Sequence, residues 1–303
     1  MENRGHTHER TRSLSRPLVV ALIITATFTV VELVGGILSG SLALMSDSGH
    51  MFTDTLALAL SLVAMRVAMR PPTAERTYGY LRAEILAALL NGSALIVMSL
   101  LIFYEGARRL FDPKEVDSGL MLVVALAGLA ANGVGIMLLH DRSKENLNVK
   151  GAFLHMFGDL MSSIGVLAGA VAIMLWDLTI VDPILSIAIG AIILVGAWRL
   201  VTQSTSILLE SVPTHIRLDV LRTKLLTVDG VSGVRDLHVW TLSSGLHAMS
   251  AHISVRDMMV SDCPDLLSKV EGMLREEFGI THTTLQLECA RSDGSSCSFS
   301  KPD

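Results

Sequence analysis

Residues 42–65 read LALMSDSGHMFTDTLALALSLVAM. A helix needs about 20 mostly apolar residues to cross a bilayer, and this stretch supplies them. It also carries His50 and Asp54 near its middle. Ionisable side chains at that depth are costly and mark functional positions. A spacing of four residues puts both on one helix face. A second apolar stretch, 151–174, repeats the device: HMFGD (His155 to Asp159) answers HMFTD (His50 to Asp54) almost letter for letter. Two matching pairs point to one shared site rather than to two unrelated packing contacts.

Four more apolar stretches lie at 17–38, 83–106, 118–140 and 180–208, which makes six spans in all. Composition agrees. Half of the 303 residues are hydrophobic, 17% are charged against roughly 25% in soluble domains, and the mean hydropathy is +0.53. Residues 1–16 form a polar N-terminal tail that does not read as a cleaved leader. Residues 17–208 form the transmembrane domain. The loop between the first two spans is short enough for a tight hairpin. Pro71 and Pro72 forbid a continuous helix between the second and third, and HDRSKENLNVK separates the fourth from the fifth.

Charge sets the orientation. Arg4, Arg10, Arg12, Arg16, Arg66, Arg70, Arg76, Arg82, Arg142, Lys144 and Lys150 fall on one side, against Arg108, Arg109 and Lys114 on the other. The excess places the N-tail, the even loops and, with six spans, the C-terminus in the cytoplasm. From about Val212 the pattern changes to that of a soluble domain, 209–290. Leu218 to Leu226 reads as an amphipathic helix, VRDLHVWTL and LHAMSAHISV as strands joined at SSG, DLLSKVEGMLREEFG as a helix stopped by glycine, and THTTLQLEC as a last strand. The order αββαβ predicts a small α+β sandwich with its helices on one face. Residues 291–303 read as a disordered tail.

The paired residues suit a metal. His50, Asp54, His155 and Asp159 offer two imidazoles and two carboxylates, a set that Zn2+ takes as a tetrahedron. The two carboxylates neutralise the ion in a low-dielectric site. Imidazole argues against Mg2+ and Ca2+, and the lack of thiolate against Cu(I). Four protein ligands leave no open position for an activated water, which favours carrying the ion over using it. Zn2+ and protons compete for these groups, so a site opening alternately to each side would exchange one for the other. Asp47, three residues before His50, is either an accessory carboxylate on the ion path or a polar residue near the start of its helix. Glu32, Asn91 and Asn132 are also polar within spans, and Gly165 and Gly169 form a small-xxx-small pair for close helix packing.

SLALMSDSGHMFTD, RTYGYLRAEILAAL, HMFGDLMSSIGVL and DLHVWTLSSGLHAMSAHI resemble segments of the cation diffusion facilitator family, in its zinc-transporting branch. The resemblance covers nearly the whole chain. It implies a proton-coupled zinc exporter with six transmembrane helices, a cytoplasmic ferredoxin-like domain and a homodimer, and it implies that His50, Asp54, His155 and Asp159 form the transport site. His at position 50 resembles members that prefer zinc over cadmium. By the same resemblance, Arg82 pairs with Glu210 and helps hold the dimer, the alternative being two snorkelling charges. His238, His252 and Glu288 match positions that bind cytoplasmic zinc in relatives, with His247 nearby, and Gln286 stands where another ligand would be. The alternative is ordinary strand histidines. His6 and His8 are either a weak capture site or polar tail. Cys289 and Cys297 lack a CxxC spacing, and with Cys263 are too few for a disulfide framework.

Other classes fare worse. The net charge of −5 and the lack of a basic stripe give nucleic-acid binding no support. No HExxH motif argues for a metalloenzyme, and no GxxxxGK[ST] loop for a primary pump. A metal sensor without flux fits the soluble domain but not ligands placed on two membrane helices. The expected setting is a bacterial inner membrane.

Overall fold

The computed structural model describes residues 23–143, 147–243, 245–256 and 259–289. The tail residues His6, His8 and Cys297, Lys144 and the segment 291–303 lie outside them. Six helices come first: α1 (Ile23–Ser39), α2 (Leu42–Ala68), α3 (Ala83–Phe111), α4 (Ser118–Ser143), α5 (Leu147–Trp176) and α6 (Val181–Leu208). Four of these, among the described residues, are long and apolar enough to cross a membrane: α3, α4, α5 and α6. Many of their large apolar side chains are exposed, among them Leu101, Met137, Met174 and Ile192. A helix apolar on every side belongs in lipid. The chain is a multi-pass membrane protein.

The polar stretch HDRSKENLNVK is less of a loop than its composition predicts. α4 runs on to Ser143 and α5 begins at Leu147. Polar residues leave a helix intact where the backbone still makes its own hydrogen bonds, and no proline interrupts here.

Contacts divide the chain into two compact units, residues 1–60 with 90–200, and 61–89 with 201–303. In the first, Ala43, Leu44, Met121, Val124, Ala125, Val166, Ala170 and Ile173 form a core between α2, α4 and α5. Gly169 packs closely: a Cβ there would lie 2.4 Å from Leu185 of α6, whereas one at Gly165 would meet nothing. Only half of the small-residue pair therefore serves the packing it suggests. Asn132 of α4 donates to Ser163 Oγ of α5 at 3.4 Å.

The turn into α2 is fixed by a buried acid. Gly40 has a φ of 71°, which a side chain would resist. Asp182, fully buried at the start of α6, accepts hydrogen bonds from Leu42 N (2.8 Å), Ala43 N (3.1 Å) and Ser41 Oγ (2.5 Å). A carboxylate at a helix N-terminus meets its unpaired N–H groups and its dipole. Arg109 lies 3.5 Å from the same carboxylate and donates to Gly40 O at 2.5 Å. Its guanidinium is thus a buried tie rather than a loop charge.

The second unit contains α7 (Leu218–Leu226), β1 (Val231–Ser243), β2 (Leu246–Val255), a 3-10 turn at Val260–Asp262, α8 (Cys263–Phe278) and β3 (Ile280–Cys289). The sheet order is β1-β2-β3, with β1 and β2 antiparallel and β2 and β3 parallel. Leu221 and Leu225 of α7 and Leu266, Val270 and Leu274 of α8 pack against Val239, Met249 and Ile253 of the sheet. This is the ferredoxin-like α+β arrangement. Gly279 closes α8 at a φ of 66°, the left-handed stop glycine makes without strain. β1 starts three residues before the predicted VRDLHVWTL, with irregular pairing at Gly233 and again between Arg235 and His238.

Candidate metal centre

α2 is anchored at its first turn by Asp182, and this sets the rotation of everything after it. His50 and Asp54 follow on one face. His50 Nε2 lies 3.5 Å from Asp54 Oδ2, and the two side chains keep 30% and 24% of their surface exposed. That distance is one a small ion or a water can join. Asp159, on α5, is 3% exposed. His155 falls on the same helix, and its side chain lies outside the described residues. Among the described residues no three His, Cys, Asp or Glu side chains converge tightly enough to hold an ion.

Asp47 is 1% exposed, and its Oδ1 accepts from Ser162 Oγ of α5 at 2.6 Å. Glu32 of α1, also 1% exposed, reaches the Asp47 carboxyl, and Asp159 lies within electrostatic range of both. The predicted residues therefore fall into two neighbouring groups, His50 with Asp54, and Asp47 with Asp159. The second gains Glu32. The sequence marks Glu32 as an acid inside an apolar span, but nothing along the chain says which helix it faces. Asp182 was missed altogether, since an acid two residues into a span looks like a boundary residue.

In the second unit, His252 Nδ1 lies 2.8 Å from Glu288 Oε1, because β2 and β3 pair with His252 opposite Gln286. Gln286 Nε2 donates to the same oxygen at 3.2 Å. Arg235 donates to the other oxygen of Glu288. Desolvation raises the Glu288 pKa, but the bonds from His252 and Arg235 outweigh it and hold the carboxyl below its usual range. A metal taking Glu288 competes with Arg235 for the charge of that carboxylate. His238 is exposed and opposite Ser250. His247 lies 3.2 Å from Thr241 Oγ1, with its ring 4.9 Å from that of His215. Burial first, and the His215 imidazole second, lower its pKa.

Arg82 Nη2 donates to Glu210 Oε1 at 2.7 Å. Glu210 holds a φ of 60°, uncommon for a residue with a side chain. Both line a cavity of ≈ 500 Å³ with Tyr78 and Trp240.

Known proteins share this organisation. Residues 18–209 match the cation efflux transmembrane domain, and residues 213–290 the cation efflux protein cytoplasmic domain. The zinc transporter ZitB of Pectobacterium atrosepticum is 42% identical over 97% of this chain and 92% of its own. The metal cation efflux system protein CzcD of Cupriavidus metallidurans is 40% identical over 94% and 90%. The cadmium, cobalt and zinc/H(+)-K(+) antiporter of Bacillus subtilis is 36% identical over 94% and 92%. An apolar helical domain carrying buried acids, joined to a small ferredoxin-like domain, defines a membrane transporter rather than an enzyme. The chain belongs to the cation efflux family, also called the cation diffusion facilitators.

Proposed function

We propose that this protein exports Zn2+ from the cytoplasm in exchange for protons, and that the ion is carried by His50, Asp54, His155 and Asp159, with Asp47 as an accessory carboxylate. One observation carries the reading: an imidazole and a carboxylate 3.5 Å apart on one face of α2, with the acid of the matching α5 motif buried. Acids inside apolar spans are costly and are functional candidates by default. The relatives named as zinc transporters and as a cadmium, cobalt and zinc antiporter support a substrate among the divalent transition metals. An imidazole–carboxylate set prefers Zn2+ within that class.

The exchange follows from the ligands. Zn2+ binds neutral imidazole and ionised carboxylate, so loading the metal expels protons and protonation expels the metal. Alternating access to the two sides turns that competition into antiport. The charge bias along the chain favours both termini in the cytoplasm, where the ferredoxin-like domain samples the metal to be exported across a bacterial inner membrane. The protein works as a homodimer in the bilayer, with the Arg82–Glu210 pair near the interface. In the cytoplasmic domain His238, His252, Glu288 and His247 serve a regulatory zinc site in competition with Arg235.

The test is Zn2+ flux into proteoliposomes under an imposed pH gradient, for wild type and Asp159→Ala. Wild-type flux rises with the gradient, and the variant falls to the level of empty liposomes while remaining a folded dimer. Flux indifferent to the gradient refutes the antiport. Flux retained by Asp159→Ala refutes the site.

A further inference from the structure

Glu32 is the buried acid that the transport set leaves without a role. It projects from α1 toward Asp47 of α2, and Asp47 is held in turn by Ser162 of α5 at 2.6 Å. Each acid is 1% exposed. One oxygen of each, Glu32 Oε2 and Asp47 Oδ2, is shut off from solvent and makes no hydrogen bond among the described residues. The charged groups acting on the pair are Asp159 and His50, and no Lys or Arg among the described residues offsets it. Two acids held together in an apolar interior cannot both stay ionised unless a cation lies between them; without one they share a proton. Here three helices aim two carboxyls and a hydroxyl at one spot and leave an oxygen of each carboxyl open to receive it.

We propose that Glu32, Asp47 and Ser162 form a second seat for a divalent transition-metal ion, built of oxygen donors alone. Two carboxylates match the charge of the ion, and water completes its shell. Without imidazole this seat binds Zn2+ less tightly than the His50 site, as suits a station for departure. Its direction rests on the exporter reading above. Asp47 precedes His50 by three residues, and Ser162 follows Asp159 by three. Helices α2 and α5 run in opposite senses if successive spans alternate, so both steps lead the same way by about 4.5 Å. The charge bias makes that way outward.

Zn2+ titration calorimetry of the purified full-length dimer tests the seat, in a background of Asp54→Ala that weakens the first site. The background variant is expected to lose its tightest Zn2+ binding and keep a weaker component. Adding Glu32→Gln, which keeps the side chain's size, should weaken that component about tenfold or more, and Glu32→Asp should restore part of it. In flux assays of otherwise wild-type protein, Glu32→Gln should lower kcat and leave KM for cytoplasmic Zn2+ within about twofold. A weak component indifferent to Glu32→Gln overturns the second seat. Should that variant not fold, Ser162→Ala is read in the same way, and unchanged binding overturns the proposal equally. Failure of the first site shows separately, as tight binding that survives Asp54→Ala.

Discussion

Both units hold a histidine against a carboxylate, and the pairs are built oppositely. In the second unit His252 meets Glu288 at 2.8 Å, and Arg235 already occupies the second oxygen. The carboxylate is neutralised by the chain itself, and a metal would be a competitor. In the membrane unit His50 and Asp54 stand 3.5 Å apart, while Glu32 and Asp47 each keep one oxygen without a hydrogen bond and no Lys or Arg among the described residues acts on them. On the reading proposed above, a cation from outside the chain fills that place. An imidazole beside a carboxylate is thus a closed salt bridge where Arg235 joins it, and on our reading part of an ion path in the membrane unit.

The sharpest way to break that contrast is to remove a carboxylate or imidazole from each pair. Asp54→Ala should drop Zn2+ flux by about a hundredfold or more, since even residues that only support a metal ligand are worth 10–100-fold. His252→Ala should stay within about threefold of wild type, as a partly exposed pair contributes little. Comparable losses from the two variants, measured in the same liposomes, would erase the distinction.

Next in size is the buried knot that aims the membrane site. Asp182→Ala strips the α2 N-terminus of its acceptor and leaves the Arg109 guanidinium, 8% exposed, without that carboxylate. Breaking a buried charge pair from one side costs about 3–5 kcal/mol. A large fall in the thermal midpoint in detergent is expected. Glu288→Ala, in a partly exposed pair, should move it far less. Equal shifts would mean that Asp182 does not anchor the helix.

Both effects bear on how much the sequence discloses. Four of the apolar spans, the αββαβ order and the closeness of His50 to Asp54 were legible because periodicity, span length and an ionisable residue in apolar surroundings are local signals. What was not legible is long-range. Asp182 caps a helix 140 residues away in the chain, and Glu32 finds Asp47 across two helices. Nor did the strand pattern show that Arg235 would lock Glu288, because this depends on sheet order: β2 lies between them. The interruption at HDRSKENLNVK was overread for the converse reason, since polar composition says where water is and not where a helix ends.

The lock itself is testable. Arg235→Ala should free one oxygen of Glu288 and leave His252 beside it, making the cytoplasmic pair resemble the membrane one. With the transport site weakened by Asp54→Ala, the added substitution should raise cytoplasmic Zn2+ affinity about tenfold, the scale of a group acting on a metal ligand. Unchanged calorimetry would show that the arginine is not what keeps this pair from binding metal.

The smallest expected effect concerns His247, whose environment is neither path nor salt bridge. Burial and the nearby His215 ring lower its pKa below the ordinary value of about 6.5. The unfolded chain thus takes up a proton there more readily than the folded one. The penalty is absent well above pH 6.5, appears as pH falls through that value, and is complete once pH lies below the folded pKa. His247→Gln removes the titrating group, so the variant should gain on wild type only on the acid side. Hydrogen exchange of β2 amides in the full chain, compared between the two proteins at matched pH, reads this directly. Protection should be similar at pH 8 and relatively greater in the variant at pH 5.5. A gain independent of pH would assign the effect to packing against Thr241 and not to charge.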